Sequence, residues 1–346
     1  MALDWIWAFG AESAVVLESM GWSFNSTSDL QHEPRTSQQY TYAGSPTRYS
    51  MAMDGTARMS APVTTNAPAG WLAVAVYHDV AASPNNGTYL LQAIGVGLGR
   101  SIGARSLSSG ALSLYVDNVI EATTPVIDWA GAWRYVALRY DFTTTTNTGQ
   151  IWVDGVAMTS VETNTASNFE TAATFHFQGT ANGDRGHYVA QIAAWDNLAD
   201  PGEIPRYITR LGVDADVSEV GAWTPSAGGT NFGVVGGTFD AATYTEEAVP
   251  SASDDVIVDL STDLATKLGI TPTAIDGVTC HTYSNGLGQT ARAEVGDQLG
   301  ATTTTGDTGA ISSGTTERHA TAVIKPSGGA WASTDTPKGK YFIVTV

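Results

Sequence analysis

Apolar and polar positions alternate along this chain in short runs divided by turn residues, which is the period of strands and not of helices. Trp71 to Tyr77, Ala111 to Val116 and Trp133 to Tyr140 read as successive strands. Gln150 to Val153 and Val156 to Met158 flank Asp154-Gly155, a dipeptide that tolerates the positive φ angles of a tight hairpin. Thr174 to Phe177 and Tyr188 to Trp195 continue the series. A helix signal then appears. Asp200 is placed as N-cap, Pro201 and Glu203 fill the first turn, and Ile204, Ile208 and Leu211 follow at helical spacing before Gly212. Pro205 lacks the N–H of an inner turn, so the spacing predicts a short helix, or one that begins at Pro205.

The pattern changes after Gly212. Val213 to Glu219 is acidic and weakly patterned, and Trp223 to Gly229 reads as turn, so a domain boundary is expected between Asp214 and Trp223. Further strands are predicted at Phe232 to Val235, Asp255 to Leu260, Val278 to Tyr283, Thr321 to Ile324 and Tyr341 to Val346. Ser261 to Leu268 before Gly269 predicts one more short helix. The threonine runs Thr143 to Thr146 and Ala301 to Gly306 are expected loops. The plan is all-β: an N-terminal arm or extra strands over 1–44, a first β domain over 45–215, and a smaller β-sandwich over 222–346.

Composition narrows what such a molecule binds. The 346 residues carry 34 Asp+Glu against 16 Lys+Arg, a net charge of −18. The few basic residues are scattered, so neither a phosphate backbone nor an anionic membrane surface is an expected partner. Hydrophobic residues make up 42%, enough for a sizeable core. No apolar run approaches the roughly 18 residues of a membrane span, and Met1 to Trp7 lacks the basic start of a secretory leader. A single cysteine, Cys280, excludes an intrachain disulfide and is expected as a buried, inert thiol in a strand. Synthesis in a cytoplasm is expected.

Several motifs in order carry a resemblance. Trp133 to Asp141, a polar loop, and Gly149-Gln-Ile-Trp-Val-Asp-Gly-Val156 pair a Trp-led strand with one ending in Val-Asp-Gly. Met53 to Met59 contains an early Asp-Gly, and Gln191 to Ile204 is a last strand running into a capping segment. Together they resemble the concanavalin A-like, laminin G-like jelly roll. Trp133, Trp152 and Trp195 are then expected to turn large faces to the gap between two sheets, with one of them outside if alternation demands it. Gly221 to Gly229, Thr238 to Tyr244, Asp254 to Ser261 and Gly329 to Val346 are similar to a β-sandwich module of structural proteins of tailed bacteriophages.

Candidate chemistry is sparse. The paired carboxylates of glycoside hydrolysis are missing as a strand motif. Asp117 and Glu121 read as a solvated acidic turn, and Glu246-Glu247 and Asp254-Asp255 as exposed pairs. There is no Gly-x-Ser-x-Gly elbow, and Gly95 to Arg100 lacks a phosphate-loop context. None of the six histidines has a zinc spacing; His176 and His187, which neighbouring strands could bring together, are expected as strand residues with ordinary hydrogen bonds. No catalytic residue is nominated, and the chain is expected not to be an enzyme. The laminin G-like resemblance implies a rim Ca²⁺, for which Asp184 and Asp117 are the candidate ligands. A structural protein on the outside of a tailed-phage virion is the function the resemblance implies, on tail or head. Its partners would be other virion proteins and further copies of itself, taken first as a trimer. The alternative is a carbohydrate-binding adsorption module for host glycans, with Trp129, Trp152 and Trp195 as ring platforms.

Overall fold

A computed structural model of the chain describes residues 22–25, 30–33, 41–42, 45–46, 50–53, 58–78, 87–96, 100–129, 131–165, 172–178, 187–195, 198, 215–220, 223–225, 245–247, 255–259, 275, 278–285, 290–297, 315–322, 328–332, 334–335 and 338–345. Its contacts divide the chain into two units, 1–42 with 46–208 and 43–45 with 209–346. Among the described residues all regular structure is β. The helices expected near 200–211 and 261–268, the strand at 232–235 and the loop at 301–306 lie outside them.

The strands begin with β1 (Ser23–Phe24), β2 (Leu30–Glu33), β3 (Thr41–Tyr42), β4 (Ser45–Pro46), β5 (Ser50–Met53), β6 (Arg58–Ala67), β7 (Ala69–His78) and β8 (Tyr89–Gly95). They continue with β9 (Ser101–Ser106), β10 (Leu112–Val116), β11 (Val119–Thr123), β12 (Trp133–Asp141) and β13 (Thr146–Val153). The first unit closes with β14 (Val156–Ala157), β15 (Glu162–Thr165), β16 (Ala172–Gln178) and β17 (His187–Trp195). One sheet has seven strands in the order β1-β6-β16-β8-β9-β10-β11. The other has eight, β14-β13-β12-β7-β17-β5-β2, with β15 on β13. The pairings are antiparallel, and the two sheets stack as a sandwich.

The core between the sheets is built from one side of each strand. Leu72, Val74 and Val76 of β7 and Val136, Leu138 and Tyr140 of β12 meet Phe175 and Phe177 of β16 and Leu114 of β10. Each such side chain stabilises the fold by about 1.5–3 kcal/mol through removal from water. Trp22, ahead of β1, stacks on Phe177 with centroids 5.9 Å apart, so the stretch before residue 45 contributes to this core and adds an edge strand to each sheet.

Alternation sends Trp133, Trp152 and Trp195 to the other side. Their strands spend Val136, Leu138, Ile151, Val153, Ile192 and Ala194 on the core, so all three tryptophans join a separate cluster on the outer face of the eight-stranded sheet. This corrects the expectation that they fill the gap between sheets.

Two hairpins pin the register. Asp154 and Gly155 have φ of 50° and 77°, as their dipeptide predicts. The Asp154 carboxylate accepts the Tyr135 N–H at 2.8 Å and an Arg134 N–H at 2.9 Å, which ties the β13–β14 turn to β12. Asp117 and Asn118, at φ 53° and 66°, turn β10 into β11.

In the second unit, β18 (Ala215–Val220), β19 (Trp223–Pro225), β20 (Thr245–Glu247) and β21 (Asp255–Asp259) precede β22 (Val278–Asn285), β23 (Thr290–Gly296), β24 (Thr315–Ala322) and β25 (Lys338–Thr345). They form a four-stranded sheet β18-β21-β25-β23 and the pairs β19-β20 and β22-β24. The acidic stretch read as an interdomain boundary thus contains a strand, β18, whose partner β21 supplies the hydrogen bonds that its weak pattern does not advertise.

Candidate functional site

The outer face of the eight-stranded sheet concentrates the aromatic residues of the first unit. Register aligns Trp195, Trp71, Arg139 and Gln150 across β17, β7, β12 and β13. The next row on that face is Ala193, Ala73, Ala137 and Trp152, and Tyr77 stands opposite Trp133 at the far end of β7. Alanine rows leave a shallow floor on which large rings can lie. Trp71 stacks on Trp195 at 6.0 Å and 13°, and meets Trp152 edge-on at 5.9 Å. Trp71 and Trp195 are 1% and 2% exposed, whereas Trp133 and Trp152 are only half-buried. The indole N–H groups of Trp71 and Trp152 are buried and find no acceptor among the described residues.

Polar groups follow the rings along β12 and β13. Gln150 donates to the Thr159 carbonyl at 2.9 Å. Arg139 lies 4.0 Å from Asp141, whose other oxygen accepts the Thr143 N–H at 2.8 Å. Half-buried indoles beside fixed donors and acceptors are what a sugar ring needs: an apolar face to stack on and partners for its hydroxyls.

Of the residues nominated from sequence, Trp129 is not a platform. It is 4% exposed in the inter-sheet core and donates to the Gly110 carbonyl at 2.7 Å. Trp195 is covered as well, which leaves Trp152. The missed members are Trp71 and Tyr77 of β7, signalled by its Trp-x-Ala-x-Ala-x-Tyr alternation, and Trp133 and Tyr135 of β12, signalled by the Trp-x-Tyr-x-Ala alternation there. His176 and His187 do not meet. The first sits on β16 opposite Gln92 in one sheet, the second on β17 opposite His78 in the other. Burial, then the Arg58 charge, lowers the His176 pKa to about 4. Cys280 lies in β22 opposite Ala320.

Asp117 is not part of a solvated turn. Its side chain is 11% exposed, 3.2 Å from Arg100, and accepts the Asn147 amide at 2.8 Å. Fully buried Asn147 thereby joins β13 to the β10–β11 turn of the facing sheet. Asp117 Oδ1 and Asn147 Oδ1 are buried without donors among the described residues. Ca²⁺ gathers about six to eight oxygens. Here the Asp117 carboxylate already faces the Arg100 guanidinium, and no group of three or more His, Cys, Asp or Glu that could hold a metal stands together among the described residues. Asp184 lies outside the described residues.

No family model matches the chain, and no curated protein does. Solved structures similar to part of this chain include a Trypanosoma rangeli sialidase in complex with sialic acid, at 17% identity and TM-score 0.36, covering 45% of this chain and 26% of that one. The cellulose-induced protein Cip1 matches at 16% identity and TM-score 0.33, covering 43% and 80%. The alginate lyase vAL-1 from Chlorella virus matches at 12% identity and TM-score 0.36, covering 54% and 98%. The chain thus spans about a quarter of the sialidase chains it matches. Two of these three structures are enzymes by name; absent sequence motifs do not exclude activity, and the expectation of a non-enzyme is not upheld.

Proposed function

We propose that the first unit recognises glycans on the outer face of its eight-stranded sheet, at the β12–β13 end. The observation that carries this reading is Trp152: half-buried, at the end of an alanine row, with an indole N–H that has no acceptor among the described residues and with Gln150 on the same strand face. Trp133 beside Tyr77, at 5.5 Å, extends the aromatic strip. A glycan array probed with the full chain tests the reading, with Trp152→Ala as control. Wild-type binding that weakens about tenfold or more in the variant is expected, since a stacked indole contributes on the order of 1–2 kcal/mol. Absence of binding at millimolar sugar sinks it. Assaying the same glycans for new chain ends tests for turnover.

The setting we propose is the surface of a tailed-phage particle, where the protein would assemble with other virion proteins and with copies of itself. Support for this comes from the paired motif sets of the two halves of the sequence. Mass spectrometry of purified particles tests it, and absence of the chain from particles would end it.

A further inference from the structure

The opposite surface of the sandwich, the outer face of the seven-stranded sheet, holds a different constellation. Arg105 of β9 lies between Tyr89 of β8 and Tyr115 of β10, its guanidinium carbon 5.7 Å and 5.2 Å from the two ring centroids. The rings themselves meet edge-on at 5.5 Å. Two glycines make the fit. A Cβ on Gly103 would sit 2.6 Å from Tyr89 Cδ1, and one on Gly87, at φ 105°, would sit 2.7 Å from Arg105 Nη2. The ring and the guanidinium therefore press against bare backbone.

What this arrangement lacks is a counter-charge. Arg100, Arg134 and Arg139, the other half-buried arginines among the described residues, each have a carboxylate at 3.2, 2.9 and 4.0 Å. Arg105 has none among the described residues, in a chain whose 34 Asp and Glu outnumber its 16 Lys and Arg. One N–H on Nη1 goes to the Tyr115 hydroxyl at 2.9 Å, and the Nε N–H is buried with no acceptor among the described residues. Tyr89 does not supply the missing charge, because burial raises its pKa and keeps the phenol neutral, against a smaller lowering by Arg105. Because the Tyr115 hydroxyl already accepts from Arg105, its own proton is left to donate. Partly desolvated cations are stable when paired, and guanidinium is the side chain best shaped to take a planar carboxylate.

We propose that Arg105, with Tyr89 and Tyr115, is a carboxylate-binding site on the face opposite the aromatic strip. One unpaired positive charge in a strongly acidic protein favours a monoanion over a phosphate dianion. The carboxylate can come from a free small acid or from a uronate unit of a saccharide.

Titration calorimetry of the full chain at low ionic strength, with acetate, D-glucuronate, D-glucose and inorganic phosphate, tests the proposal. Both carboxylates are expected to bind and glucose not to. Glucuronate at least tenfold tighter than acetate assigns the site to an acidic sugar, and equal affinity assigns it to small acids. Arg105→Gln is expected to abolish binding, and Tyr115→Phe, which keeps the ring, to weaken it severalfold. The proposal is overturned if neither carboxylate binds the wild type, if phosphate binds more tightly, or if Tyr115→Phe and Arg105→Gln both leave affinity unchanged. Neutral-glycan binding that is lost in Trp152→Ala and kept in Arg105→Gln separates this site from the one on the other sheet.

Discussion

On the outer face of the eight-stranded sheet large indoles lie over alanines. On the outer face of the seven-stranded sheet an arginine lies between two tyrosines over glycine. Both use small residues to let a large group settle on the pleat, yet the results differ in kind. The first face buries Trp71 and Trp195 as completely as the inner core buries Phe175, and so acts as a second hydrophobic layer with a half-open edge at Trp133 and Trp152. The second keeps a cation half in water against two rings, with no carboxylate partner among the described residues. Small floor residues therefore do not dictate what a sheet face does. The group placed on them does.

The widest test of this contrast is a pair of truncations. Trp71→Ala and Phe175→Ala should each cost about 3–5 kcal/mol in urea unfolding, because each leaves a cavity in a closed layer. A Trp71→Ala cost below about 1 kcal/mol would show that the outer cluster is a surface and not a second core. Next in size is the polar link between the two sheets. Asn147→Ala, which strands the Asp117 carboxylate without its amide donor, should cost about 1–3 kcal/mol by the same measurement. Gly103→Ala is expected to cost about 1 kcal/mol, at the low end for overpacking because the half-buried Tyr89 ring can swing away. Its sharper signature is loss of the Tyr89–Arg105 contact, read as a change in the tyrosine fluorescence of the folded state.

The smallest effect concerns His176 on the seven-stranded sheet. Its pKa falls from 6.5 to about 4 in the folded state, through burial and then Arg58, so the unfolded chain binds more protons between those values. Stability contributed by the neutral imidazole is full above pH 6.5 and declines as pH drops towards about 4. His176→Gln should flatten that part of the midpoint-versus-pH curve, and an unchanged slope would refute the burial of this histidine.

Much of the scaffold was legible. The β7, β12 and β17 runs and the Asp154-Gly155 turn announce themselves through alternation and positive-φ chemistry, which are local properties. Trp152 was legible as an aromatic candidate, but its side of the sheet was not, because β13 offers Ile151 and Val153 on one face and Trp152 on the other, and both faces are apolar enough to be buried. Asp117 was misread as solvated for a related reason. Its partners, Arg100 and Asn147, are 17 and 30 residues away, and nothing in the turn itself points to either. Arg105 gave no signal at all: an isolated arginine in a strand is ordinary until its neighbours turn out to be two rings and no acid.

The sequence by itself determined an all-β chain with defined hairpins and a large surplus of negative charge, since side-chain period, turn propensity and composition are written residue by residue. Tertiary structure alone decided which of two apolar faces became the core, which tryptophans stayed half-open, and which arginine was left unpaired. Those outcomes depend on cross-strand register between segments far apart in the chain, and register follows from total burial over both sheets and not from any one strand.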